Sequence, residues 1–187
     1  MPTPLLKAIS PRLLAAEPGR ITAEALSRGE DPTLGVPGVA RPAMVAALFA
    51  EDPRPMLVAI AGEDAAERFA RQLVAYLSRA QVLRFAERTD MPWSDEAPDP
   101  RVVGRRSRAI HMLSAGEPCV VVASTRALLR ALPPQGSHVF EPLILESGTT
   151  ADLEEMAVTL SRMGYERNEK VEQRGQFAVR GLSLIHI

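Results

Sequence analysis

Met56-Leu57-Val58-Ala59-Ile60-Ala61 is an unbroken apolar run, and Glu63-Asp64 follows it at once, then Ala66, Phe69, Ala70, Leu73 and Leu77 at helical spacing. A β-like run that hands over to a helical period is the repeating unit of a parallel sheet covered by helices. The acidic pair suits a helix N-terminus, where it meets the positive end of the helix dipole. The unit recurs downstream. Val82-Leu83-Arg84-Phe85 and Cys119-Val120-Val121-Val122-Ala123 read as two further strands. Between them Val102, Val103, Arg106, Ala109, Ile110 and Leu113 keep helical spacing, and Gly116 stands where the helix would stop.

Working outward, Ser124-Thr125 offers an N-cap for a short helix Ala127-Leu128-Leu129, terminated by Pro133-Pro134. A further apolar run, Pro142-Leu143-Ile144-Leu145, precedes Thr149-Thr150-Ala151-Asp152, which has the look of a capping box. Leu153, Met156, Ala157, Leu160 and Met163 form the expected buried stripe of that helix, and Gly164 ends it. Upstream, Pro2, Pro4, Pro11 and Pro18 break residues 1–30 into short helices on an arm. The chain is expected to leave its first domain between residues 135 and 150.

Composition narrows the function classes. The 187 residues are 46% hydrophobic, enough for a real core, and the net charge of −1 gives no global attraction to nucleic acid or anionic lipid. Lys7 and Lys170 are the only lysines, so the basic residues are nearly all arginine. The lone cysteine, Cys119, excludes an internal disulfide and a multi-cysteine metal site, and its apolar setting predicts a buried packing thiol. No window approaches the ~18 consecutive apolar residues of a membrane span, so a cytoplasmic location is expected. His111, His138 and His186 are scattered with no serine or cysteine partner, and no nucleophilic triad is visible. Met44, Met56, Met112, Met156 and Met163 fall at core-like positions.

Three stretches carry chemistry. Gly35-Val36-Pro37-Gly38-Val39-Ala40-Arg41-Pro42 lies just before a helix that leads to the strand at Met56, the position of a phosphate loop in nucleotide-binding motors. A working loop reads G-x-x-x-x-G-K-[ST]; here Ala40 replaces the second glycine, Arg41 the lysine and Pro42 the hydroxyl. Proline supplies neither a hydroxyl for the metal nor an N–H for phosphate, so the loop is expected to start a helix and nothing more. The loop from Asp90 to Pro100 holds the only tryptophan, Trp93, among carboxylates whose spacing matches no common ligand set. Arg101, Arg105, Arg106 and Arg108 follow as a cluster on one helix, open to phosphates, an acidic partner or solvent alone.

The third stretch is Gly164-Tyr165-Glu166-Arg167 with Val171-Glu172-Gln173-Arg174-Gly175-Gln176-Phe177-Ala178-Val179-Arg180-Gly181. Its alternation predicts a hairpin of Val171–Arg174 against Gln176–Arg180, turned at Gly175, with Phe177 and Val179 on one face and Ala178 and Arg180 on the other. An arginine on a rigid strand is a fitting interface anchor; a salt bridge within the domain is the equal alternative on sequence alone.

This last signature resembles the second-domain hairpin of the bacterial transcription-repair coupling factors (Mfd) and of their relative, the excinuclease protein UvrB. Met91-Pro92-Trp93 is similar to the family's leucine-proline-tyrosine loop, and Val122 to Leu129 to a strand-to-helix segment of the same module. The degenerate loop and the short acidic link after Trp93 favour the coupling factor; the alternative is a piece of UvrB that binds ATP and damaged DNA.

The resemblance implies a P-loop-NTPase-like (RecA-like) α/β domain over residues 31–142, without catalysis, and the start of a second α+β domain over 143–181. It implies a role in transcription-coupled nucleotide excision repair by recruiting the excinuclease protein UvrA, with Arg180, Phe177 and Arg167 at the contact. Gly35, Gly38 and Arg41 would be the remnant of the phosphate loop. No catalytic or metal-binding residue and no cofactor is expected here; ATP and Mg²⁺, RNA polymerase and DNA would be engaged by other parts of a longer protein. Leu182-Ser183-Leu184-Ile185-His186-Ile187 departs from the family pattern and reads as a foreign tail on a gene fragment.

Overall fold

The structure, a computed structural model, describes residues 9–88, 90, 98–132, 134, 142–148 and 150–180, and the backbone of 183–186. It is an α/β protein whose chain divides into two compact units, one within residues 1–89 and 105–131, the other within 90–104 and 132–187.

The first unit is built on a parallel sheet of β1 (Met56–Ile60), β2 (Val82–Phe85) and β3 (Val120–Ser124) in the order β1-β3-β2. Met56 and Val82 both register with Val120. All five residues of β3 are buried, which explains why Val120 to Ala123 are apolar: it is the central strand, and helices cover both its faces. Val120 and Val122 point into a cluster with Ala46 and Phe49 of α3 (Arg41–Glu51) and Ala66, Phe69, Ala70 and Leu73 of α4 (Glu63–Leu73). Val121 and Ala123, with Cys119, point to the opposite face, where Ala109 of α5 (Pro100–Ser114) and Ala127 of α6 (Thr125–Leu128) pack with Leu83 and Phe85. The alternation of side chains along one strand thus divides the core in two.

Two N-terminal helices, α1 (Ile9–Ala15) and α2 (Glu17–Ser27), complete this unit, and α1 packs against α3. Their crossing is tight. A Cβ at Gly19 would stand 2.0 Å from the carbonyl oxygen of Leu13, so only glycine fits. Local signals act as expected elsewhere: Ser124 caps α6 by accepting the Ala127 N–H at 3.2 Å, and α5 stops before Gly116.

In the second unit α7 (Leu153–Arg162) is capped by Asp152, whose carboxylate accepts the N–H groups of Glu154 and Glu155 at 2.8 and 3.3 Å. Its stripe is narrower than its sequence suggests. Ala157 and Leu160 are buried, whereas Met163 lies past the helix end and is 43% exposed. Leu143 packs against this cluster, but Ile144 and Leu145 next to it are exposed, and the run 142–148 forms no strand.

A sheet in the order β4-β5-β6 follows: β4 (Glu166–Arg167), β5 (Gln176–Arg180) and β6 (Ser183–His186). Here the expected hairpin is corrected. Val171–Arg174 is no strand, and the neighbour of β5 on that side is β4, running parallel to it. The physical reason lies at Gln176, whose side-chain oxygen accepts the N–H groups of Glu172 and Gln173 and so removes them from any ladder. The antiparallel partner of β5 is β6, which registers Arg180 with Ser183 and Phe177 with His186. The stretch that departs from the family pattern therefore includes a paired strand.

Candidate partner-binding site

Strand β5 positions the residues that the sequence singles out. Phe177 is fully buried between Ala157 and Leu160 of α7, with Tyr165 and Val179 alongside. Expected from the sequence at the partner contact, its ring is fully buried here and anchors β5 to α7. Ala178 is also buried, so both faces of β5 are covered at its centre. Gln176 and Val179 are half-buried, and Arg180 is the exposed residue of the strand.

There the guanidinium is held in one orientation. Its Nε and Nη2 both donate to the backbone carbonyl of Glu169, at 3.2 and 2.8 Å. An exposed arginine loses rotamer freedom when it binds, and one already gripped by the backbone loses less. The predicted alternative, a salt bridge within the domain, is replaced by this carbonyl contact. Arg167 is exposed on β4 and registers with Phe177 of β5.

The loop around Gly35 is a helix start. Residues 31–37 carry no regular structure, Gly38–Ala40 form one 3-10 turn, and Pro42 sits buried in the first turn of α3. Arg41 donates from Nε to the Val36 carbonyl at 3.2 Å. Among the described residues no strand precedes this loop, and a Cβ at Gly35 or Gly38 would meet nothing within 4 Å.

The arginine cluster separates into two kinds. Arg101, Arg105 and Arg108 are exposed, but Arg106 is 6% exposed and lies over the Phe85 ring at 3.8 Å from its centroid. Its Nη1 donates to the Ala86 carbonyl at 2.8 Å, so it belongs to the core of the first unit and not to a binding face. Sequence reading missed a second such residue. Arg84, on β2, pairs with Glu63 and Glu67 of α4 and donates to the Val122 carbonyl at 2.7 Å, tying helix to sheet. Its place inside an apolar run was the available signal.

Cys119 is buried, and burial, reinforced by Glu117, pushes its thiol above the ordinary cysteine value. Trp93 with Met91 and Pro92, most of the acidic loop, and His138 lie outside the described residues. Among those described, no group of histidine, cysteine and carboxylate side chains could hold a metal ion, and no helix is long and apolar enough to cross a membrane.

Residues 143–186, which hold α7 and the β4-β5-β6 sheet, match the UvrB interaction domain family. Similarity extends further: a transcription-repair-coupling factor of Mycobacterium tuberculosis is 31% identical over 186 residues, which is 96% of this chain and 15% of that relative. One from Bacillus subtilis is 26% identical over 147 residues, 79% of this chain and 12% of the relative. The chain is placed with the N-terminal region of the transcription-repair coupling factors, related to UvrB. The UvrB side of that relationship is seen in a UvrABC system protein B of Metamycoplasma arthritidis, 28% identical over 165 residues, 81% of this chain and 25% of the relative. Against the coupling factors of M. tuberculosis and B. subtilis, the chain spans roughly a seventh of their length or less.

Proposed function

We propose that the chain is a protein-recognition region of a coupling factor, acting in transcription-coupled nucleotide excision repair by recruiting the excinuclease protein UvrA. The observation that carries this reading is Arg180, an exposed arginine at the end of a buried strand, already oriented by the Glu169 carbonyl. Arg167, on the neighbouring strand of the same sheet, adds a second cation, and Phe177 braces the strand from within. The match of residues 143–186 to an interaction domain supports the same reading.

The first unit is proposed as a RecA-like, P-loop-type domain that has lost nucleotide hydrolysis. Its parallel sheet fits that ancestry, and the replacement of lysine and hydroxyl by Arg41 and Pro42 fits the loss. ATP and Mg²⁺, RNA polymerase and DNA would then be handled by other parts of a full-length factor, with catalysis absent from this region. The similarity to UvrABC system protein B favours one competing reading, a module that binds ATP and damaged DNA. Equilibrium dialysis with labelled ATP and co-elution with UvrA separate the two. The present reading expects co-elution and no nucleotide retained at micromolar concentration. Tight ATP retention without co-elution overturns it.

A further inference from the structure

The segment between β4 and β5 is fastened to β5 at three points. The Asn168 N–H donates to the Phe177 carbonyl at 2.9 Å. The N–H groups of Glu172 and Gln173 both donate to Oε1 of Gln176 at 3.0 Å. Between these two fastenings lies Glu169, whose carbonyl accepts the Arg180 guanidinium. A free loop would sample many positions for that carbonyl, and closure by a single side-chain oxygen with two donors narrows them.

We propose that Gln176 is a positioning residue for Arg180: it touches no partner, but folds the 168–173 loop so that the Glu169 carbonyl holds the guanidinium in its binding orientation. This rests on the reading of Arg180 as a partner contact. It also sharpens the chemistry of that contact. Nε and Nη2 together form one edge of the guanidinium, and the carbonyl occupies that edge. The edge offered outward is Nη1 with the remaining Nη2 hydrogen, which suits a carboxylate arriving end-on at the tip of the side chain.

Two measurements on the full chain test this. In the first, nuclear magnetic resonance follows hydrogen exchange of the Arg180 Nε–H and of the Glu172 and Gln173 amides. Gln176→Ala should speed all three by roughly tenfold or more, and Gln176→Glu, which keeps an acceptor oxygen, should restore protection. In the second, affinity for UvrA is measured in a double-mutant cycle. Gln176→Ala should weaken binding about tenfold when Arg180 is present and have no effect beside Arg180→Ala. Unchanged exchange at Arg180, or effects of the two substitutions that simply add, overturns the positioning role while leaving the partner reading intact. Undiminished binding by Arg180→Ala overturns both.

Discussion

Arg106 and Arg180 are the same residue type on regular elements, yet one is structural and the other is offered to solvent. The difference is a matter of face. On a helix Arg106 lies about 100° round from Arg105, enough to turn it onto Phe85 while Arg105 and Arg108 stay exposed. Spacing alone grouped the four arginines because their clustering is visible in sequence and the direction of the sheet is not. Arg106→Ala should therefore lower unfolding stability by about 2–4 kcal/mol in urea titration, since it removes a buried stack and leaves the Ala86 carbonyl without that donor. Cys119 makes a prediction of opposite legibility, since its burial was clear from its neighbours. The folded state holds the thiol proton more tightly than the unfolded chain, so its contribution is complete below the ordinary thiol value. It declines as pH rises above roughly 8.5, which thermal unfolding between pH 7 and 10 would detect as a falling midpoint absent from Cys119→Ala.

At the scale of elements, the strands of the first sheet were readable because continuous apolar runs are what a covered parallel sheet requires, and β1, β2 and β3 form where those runs stand. The helices α4, α5 and α7 were readable from period and caps. The second sheet was not. A glycine between two alternating stretches signals a hairpin, and nothing local reveals that Gln176 takes the N–H groups of its would-be partner strand. Nor does sequence suggest that β4, of two residues, would pair in parallel through so short a connection. The cap of α7 gives the element-scale prediction. Asp152→Ala should cost about 1 kcal/mol and Asp152→Asn much less, read as chemical-denaturation midpoints, because both N–H acceptor contacts depend on that side chain.

The whole molecule has one unit organised round a parallel sheet and another round a three-stranded mixed sheet. That the loop at Gly35 lacks the lysine and hydroxyl of a working phosphate loop is plain from sequence, because that chemistry depends on residue identity. The proposed partner site could be read only in part: Arg180 stood out, but the Glu169 carbonyl that holds it is a backbone atom and leaves no trace in residue types. If the first unit has lost nucleotide binding, millimolar Mg-ATP should leave its melting temperature unchanged, whereas a bound nucleotide at a hundred times its Kd would add about 2.7 kcal/mol. An anchoring role for Arg180 is best tested by isothermal titration of UvrA into the chain and into Arg180→Ala. Measurable binding by the chain is expected, with a loss of about 2 kcal/mol, roughly thirtyfold in Kd, on removing the arginine. Equal affinities for the two would contradict it.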